Sequence, residues 1–211
     1  VTNSADRPEY WDSRYRQAGS GQVSWYEDEP TLSLEALVLA DADADTSVID
    51  IGGGASPLAA ALVDRGFADI TVLDISTEAL DRSRAGLQRS NSVGWIVSDV
   101  LAWIPDRRFQ LWHDRAAFHF LVDPADRATY RSVLHKAIAP GGAVVVATFA
   151  EDGPTTCSGL PVQRYSAAEL IDELGPGLSR IADGRYDHTT PQGVVQHLTW
   201  VVLRADPVAA C

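Results

Sequence analysis

The stretch Val48-Ile49-Asp50-Ile51-Gly52-Gly53-Gly54-Ala55-Ser56-Pro57-Leu58 constrains the fold more than any other part of this chain. Val48 to Ile51 has the length and composition of a strand buried in a parallel sheet. Pro57 followed by Leu58-Ala59-Ala60-Ala61-Leu62 opens a helix, because proline presets φ and lacks only a donor that the first helical turn leaves unused. The glycines between them let the backbone approach a ligand closely. A turn of this kind, at the carboxyl end of a strand in an open α/β sheet, is where nucleotide-like ligands sit.

The alternation continues downstream. Strands are expected at Asp69 to Leu73 (ending at Asp74), Val93 to Val97, Phe109 to His113 and Ala143 to Ala147, the last entered through a turn at Pro140-Gly141-Gly142. Helices are expected at Ser76 to Arg89, with Ser76 as N-cap, and at Asp123 to Lys136. Alternating β and α elements imply a parallel sheet with helices on both faces. The last third departs from this rhythm. Ser166 and Glu169 form a capping box for a short helix to Leu174. Arg180 to His188 and Val194 to Arg204 then read as a hairpin that adds an antiparallel edge. The expected fold is therefore a Rossmann-like, doubly wound α/β sheet of seven strands, mostly parallel.

Ahead of this core lies an amino-terminal piece dense in Tyr10, Trp11, Tyr15, Trp25 and Tyr26. Pro8 to Gln17 can form a helix with Trp11 and Tyr15 on one face at i and i+4. It either packs on the sheet edge or roofs a ligand, and the two are compatible. Thr31 to Ala40 is helical in character, and Asp41 to Asp45 is a solvated acidic linker. The whole of 1–211 is read as a single domain, with 1–45 as aromatic helical lid and linker and 46–211 as core.

With 211 residues, 45% of them hydrophobic, the chain can bury one sizeable core. No apolar run approaches the roughly 20 residues that span a membrane, and the polar amino terminus is unlike a secretory signal, so a soluble cytoplasmic protein without a membrane partner is expected. A formal net charge of −12 argues against nucleic acid as a partner, since a phosphate backbone is bound through clustered Lys and Arg. The two cysteines, Cys157 and Cys211, offer neither a disulfide framework nor metal-ligand spacing. No metal is expected, and nothing in the sequence sets the oligomeric state.

A glycine-rich turn alone serves NAD, FAD and S-adenosylmethionine proteins alike. A dinucleotide fingerprint needs G-x-G-x-x-G, and here Pro57 stands at the third position. Asp50, Asp74, Asp99 and Asp114 all fall at or beside the carboxyl ends of expected strands, which line one crevice. Carboxylates there oppose a pyrophosphate but suit a ligand carrying a sulfonium, an ammonium and a ribose diol.

Residues 48 to 150 resemble the core of class I S-adenosylmethionine-dependent methyltransferases. Val48 to Gly54 is similar to that family's first motif, Val72-Leu73-Asp74-Ile75-Ser76 to its second, and Ser98-Asp99-Val100 to its third. Phe109 to Arg115 with Phe118-His119-Phe120 resembles the fourth, and Leu134 to Val146 the fifth. Ser56 stands where many members have a third glycine, and Gln110 where many have an acidic residue. The resemblance implies S-adenosyl-L-methionine as cofactor and S-adenosyl-L-homocysteine as product. It implies that Asp74 accepts both ribose hydroxyls, Asp99 the adenine amino group, that the Val100 amide donates to an adenine nitrogen, and that Ile75 packs on the ring. Gly52, Gly53 and Gly54 would cradle the cofactor, Asp50 would orient the turn and the amino-acid moiety, and Ser76, Trp11, Tyr15 and Trp25 would complete the binding set. Asp114 and His119 belong both to this set and, with Arg115, to the candidates for catalysis.

Methyl transfer from a sulfonium is an in-line displacement, for which alignment and desolvation can suffice with a thiol, phenol or carboxylate, whereas a protonated amine must first lose its proton. His119 is the first candidate for a base, against a ring merely hydrogen-bonded to backbone. Arg115 either holds an anionic substrate or pairs with Asp114. His188 and Cys157 are expected in loops. The aromatic amino terminus favours a buried small-molecule O, S or N acceptor, and His113 to Phe118 is similar to thiopurine and other small-molecule methyltransferases. Tyr10 to Tyr15 and Val23 to Tyr26 are similar to methyltransferase-like proteins that modify lysines of elongation factors, so a protein lysine methyltransferase is the alternative. From another class, a non-catalytic nucleotide-binding protein or an NAD-dependent oxidoreductase stays open.

Overall fold

Strands form where apolar and β-branched residues run together, and the centre of the sheet follows the sequence pattern closely. The computed structural model describes residues 6–17, 23–87 and 92–207; Cys211 and the expected helical residues beyond 87 lie outside them. The first two helices are α1 (Arg7–Gln17) and α2 (Thr31–Leu39). The alternating core runs β1 (Val48–Ile51), α3 (Leu58–Asp64), β2 (Ile70–Asp74), α4 (Thr77–Gly86), β3 (Val93–Val97), β4 (Phe109–Arg115), a 3₁₀ turn at Phe118–Phe120, α5 (Pro124–Ala137) and β5 (Ile138–Phe149). A small hairpin, β6 (Thr156–Cys157) and β7 (Leu160–Pro161), precedes α6 (Ala167–Leu174), β8 (Leu178–Thr189) and β9 (Val195–Ala205).

The seven-stranded sheet has the order β3-β2-β1-β4-β5-β9-β8. β1 pairs in parallel with both β2 and β4, so the chain leaves β1 in one direction and returns on its other side at β4. That reversal opens a crevice above the carboxyl ends of the strands. β9 is antiparallel to both β5 and β8, so β8 runs with the parallel strands and β9 alone runs against them. The late hairpin thus inserts its return strand beside β5. Composition explains the choice: Val201, Val202 and Leu203 of β9 are fully buried, whereas β8 carries Arg180, Asp183, Arg185 and Asp187, which suit an edge.

Alternation within the strands divides the core between the two faces. Ile49, Ile51, Trp112, Val144 and Val146 pack with Tyr130 and Leu134 of α5 and with Leu170 and Leu174 of α6. Val48, Leu111, Ala143 and Val145 pack on the other side with Leu37 of α2, Leu58 and Leu62 of α3 and Leu80 of α4. Each such fully buried large side chain contributes about 1.5–3 kcal/mol.

Three local expectations are revised. β5 begins at Ile138, and Pro140-Gly141-Gly142 is a kink inside a continuous strand, with Gly141 at φ +74° and a register shift opposite Phe109 and Leu111. Cys157 lies in β6 and His188 in β8 instead of in loops, because both side chains are buried, at 8% and 4% exposure. The N-caps at Ser76 and Ser166 and the capping box at Glu169 are present.

Candidate active site

A cavity of about 640 Å³ opens over the carboxyl ends of β1, β2, β3 and β4. Of the residues singled out in the sequence, Trp11, Tyr15, Trp25, Gly52, Asp74, Ile75, Asp99, Val100 and Arg115 line it. Asp50, Gly53, Gly54, Ser76, Asp114 and His119 stand behind its wall.

The glycine turn is built without room for side chains. A Cβ on Gly52, at φ +66°, would lie 2.7 Å from Ala117 Cβ; one on Gly53 would lie 2.3 Å from Asp50 Oδ2. One on Gly54 would lie 2.6 Å from Asp74 Oδ2 and 2.9 Å from the Tyr15 hydroxyl. The turn is therefore wedged between two carboxylates and the loop after β4, with Gly52 as the part of it that lines the cavity. Ser56, in place of a further glycine, accepts a bond from the Leu58 amide at 3.1 Å and so starts α3.

Asp74, at the end of β2, is 6% exposed. Its Oδ1 accepts from the Ser76 amide at 2.8 Å. Burial pushes its carboxyl up to about 7, with repulsion from Asp50 and Asp12 adding to this and the amides of Ser76 and Gly54 opposing it. Ser76 caps α4 by accepting from the Ala79 amide at 3.1 Å, and its hydroxyl donates to Asp12 at 2.6 Å. Asp12 also accepts from the Glu78 amide at 3.1 Å, so a carboxylate on α1 sits at the amino terminus of α4, where the helix dipole favours it. At the end of β3, Asp99 accepts from the Leu101 amide at 2.9 Å and from Arg7 at 3.4 Å. Arg7 bridges onward to Asp126 at 2.6 Å, tying α1 to α5.

The loop after β4 revises the expectations placed on it. The Asp114 carboxylate is fully buried and turned away from the cavity, accepting from the amides of Ala117 at 2.9 Å and Phe118 at 3.1 Å and from the Tyr130 hydroxyl at 2.7 Å. Burial pushes its carboxyl up to about 6 against those bonds. It shapes the turn at Ala116, which holds the left-handed φ of +68°. Arg115 does not pair with Asp114: it reaches Glu27 at 3.1 Å and the Trp25 carbonyl at 3.2 Å. Burial raises the Glu27 carboxyl, and Arg115 opposes this. His119 is fully buried between Phe120 and Phe149, with ring centroids at 4.5 and 4.7 Å, and neither ring nitrogen has a hydrogen-bond partner among the described residues. Burial lowers its pKa to about 3. The ring packs among aromatic side chains and does not line the cavity. His188 Nε2 meets the Ser24 carbonyl at 2.8 Å, and burial lowers its pKa.

Over the cavity, Trp11 stands edge-on to Phe120 at 5.0 Å and to Trp25 at 6.1 Å, and Trp25 to Tyr15 at 6.0 Å. Tyr10 donates to the Ser158 carbonyl, fastening α1 to the β6–β7 hairpin. That hairpin contributes Cys157, Leu160 and Pro161 to the cavity. The roof is thus largely aromatic and apolar, and the polar groups sit at the strand ends and at Arg7 of α1 with Asp123 and Asp126 at the start of α5. Arg7, Asp12, Glu27 and, in the hairpin, Leu160 and Pro161 were not among the residues expected at the site, whereas Cys157 was. Only Asp12, in Tyr10 to Tyr15, stood within a stretch already singled out; the others are joined to the site by contacts remote in sequence.

Residues 48–142 match the family described as a methyltransferase domain. Nodulation protein S of Rhizobium tropici is 32% identical over 76 residues, which is 36% of this chain and 32% of that protein, so the match spans about a third of the relative's length. In fold, the chain is similar to a structure described for the conversion of a disulfide bond into a thioacetal group during echinomycin biosynthesis, with a TM-score of 0.74, 22% identity and coverage of 96% and 94% of the two chains. It is also similar to the N-methyltransferase NodS from Bradyrhizobium japonicum WM9 in complex with S-adenosyl-L-homocysteine, with a TM-score of 0.68, 19% identity and coverage of 85% and 89%. The ordered motifs and the family match coincide over residues 48–142, the segment of the chain that is similar to a methyltransferase domain, and the sheet around it has the fold of the solved structures named above.

Proposed function

We propose that this protein transfers a methyl group from S-adenosyl-L-methionine to a small-molecule O, S or N acceptor enclosed beneath α1. The observation that carries the reading is Asp74, buried at the end of β2 beside a glycine turn that admits no Cβ, and facing a cavity with an aromatic roof. These residues fit the cofactor: the turn offers bare backbone, Asp50 Oδ2 is a buried acceptor without a partner among the described residues, and Asp74 and Asp99 are the acceptors that a diol and an amino group need.

When bound, S-adenosyl-L-methionine supplies a methyl group activated on a sulfonium. The chain's own residues bind, orient and exclude water. Asp74 accepts the ribose hydroxyls, Asp99 and the Val100 amide hold adenine against Ile75, and the carboxylates favour a cationic ligand. Trp11, Trp25, Phe120 and Leu160 desolvate the acceptor, and α1 serves as lid over a core that begins near residue 46. With His119 turned into the core, the acceptor arrives deprotonated or loses its proton to solvent. For an amine acceptor, kcat/KM then rises with pH up to the acceptor's own pKa.

A labelled-methyl screen over thiols, phenols, amines and a cell lysate tests the reading. Transfer to one class of small acceptor is expected; transfer to lysate protein alone would establish the lysine methyltransferase alternative instead.

A further inference from the structure

Asp50 does not stand alone under the glycine turn. Its Oδ1 lies 2.7 Å from His113 Nδ1, and His113 Nε2 lies 2.9 Å from the Ser33 hydroxyl on α2. All three residues are 2–3% exposed. The Ser33–His113–Asp50 order is that of a nucleophilic triad, but a serine sealed in the core meets no substrate, and acyl transfer is excluded. The chain of bonds has a different consequence. Nδ1–H donates to Asp50, because a carboxylate oxygen accepts, and Nε2 pairs with the Ser33 hydroxyl. Asp50 is thereby fixed through one oxygen. The other oxygen, Oδ2, is buried, has no partner among the described residues, and lies where it would touch a Cβ on Gly53.

We propose that Ser33 and His113 are positioning residues: they hold the Asp50 carboxylate beneath the glycine turn so that its unshared oxygen acts on the ammonium end of the cofactor. The proposal rests on the cofactor reading above. It makes α2, which does not line the cavity, part of the binding machinery, because Ser33 holds the far side of the ring that donates to Asp50.

Two ligands separate this from a structural role. S-Adenosyl-L-homocysteine carries the ammonium-bearing amino-acid end; 5′-methylthioadenosine shares its adenosine and sulfur but lacks that end. Both are titrated into the wild-type chain, Ser33→Ala and His113→Gln by calorimetry, with thermal unfolding as a check on folding. The variants should lose at least about tenfold in affinity for S-adenosyl-L-homocysteine, the scale of one hydrogen bond to a charged group, and keep their affinity for 5′-methylthioadenosine within about twofold. Ser33→Ala, which removes a single hydroxyl, decides the matter if His113→Gln fails to fold. Equal weakening of both ligands, or of neither, overturns the proposal. A wild-type chain that binds neither ligand overturns the cofactor reading itself.

Discussion

Asp74 combines two demands that pull against each other. Burial and the neighbouring Asp50 and Asp12 favour its neutral form and push its carboxyl up to about 7, yet accepting two ribose hydroxyls calls for the ionised form. Binding should therefore release a proton near neutral pH, and affinity for S-adenosyl-L-homocysteine should rise between pH 6 and pH 8. In Asp74→Asn that rise should vanish and affinity should fall at least tenfold, about 1.4 kcal/mol; titration in buffers of different ionisation enthalpy measures both. In the ligand-free protein the sign is reversed. A carboxyl raised from 3.8 to about 7 holds its proton more tightly in the native state, so its contribution to stability declines as pH rises through that window. His119 behaves oppositely: lowered from 6.5 to about 3, it stays neutral in the fold, so its contribution is complete above pH 6.5 and is lost on acidification. His119→Phe should gain on the wild type as pH falls from 6.5 to 4.5, by up to about 1.4 kcal/mol per pH unit in urea unfolding. An unchanged difference between the two proteins would mean that the ring is solvated.

Among the elements, α1 is joined to the core by side chains more than by a continuous apolar face. Asp12 at the amino terminus of α4, Arg7 between Asp99 and Asp126, Tyr10 on Ser158 and Tyr15 against the glycine turn make four attachments on three sides of the crevice. Asp12→Ala removes two hydrogen bonds to Ser76 and Glu78. It should speed amide exchange across 7–17 and raise KM for the acceptor severalfold, with unfolding of the core shifted by only about 1 kcal/mol. A loss of stability spread over the whole chain would show α1 to be part of the core. The strands β1 and β3 were legible to the residue, since short, mainly apolar runs bounded by turn residues allow little else, although only β1 is buried throughout. Helix α1 was legible from its spacing. Its attachments were not, because they join residues remote in sequence, from Tyr15 against Gly54 to Tyr10 on Ser158. β5 was read too short, since a proline and two glycines suggest a turn and only the pairing with β4 shows a kinked strand. Asp114 was legible as a strand-end carboxylate, but not its direction, which Tyr130 and the following backbone amides determine.

At the scale of the whole molecule, the sheet reverses direction of travel at β1 and β4, and the cavity is lined by the strand ends above that point, the start of α5, and α1, the segment around Trp25 and the β6–β7 hairpin laid across it. The carboxylates, the glycine turn and the aromatic roof are remote in sequence and are brought together by this topology alone. The crevice so formed suits S-adenosyl-L-methionine and not a dinucleotide. Calorimetric titration of the full chain with S-adenosyl-L-homocysteine and, separately, with NAD tests it most directly. A saturable one-to-one isotherm with the first and no heat with the second is predicted; no binding of S-adenosyl-L-homocysteine, or saturable binding of NAD, would contradict it.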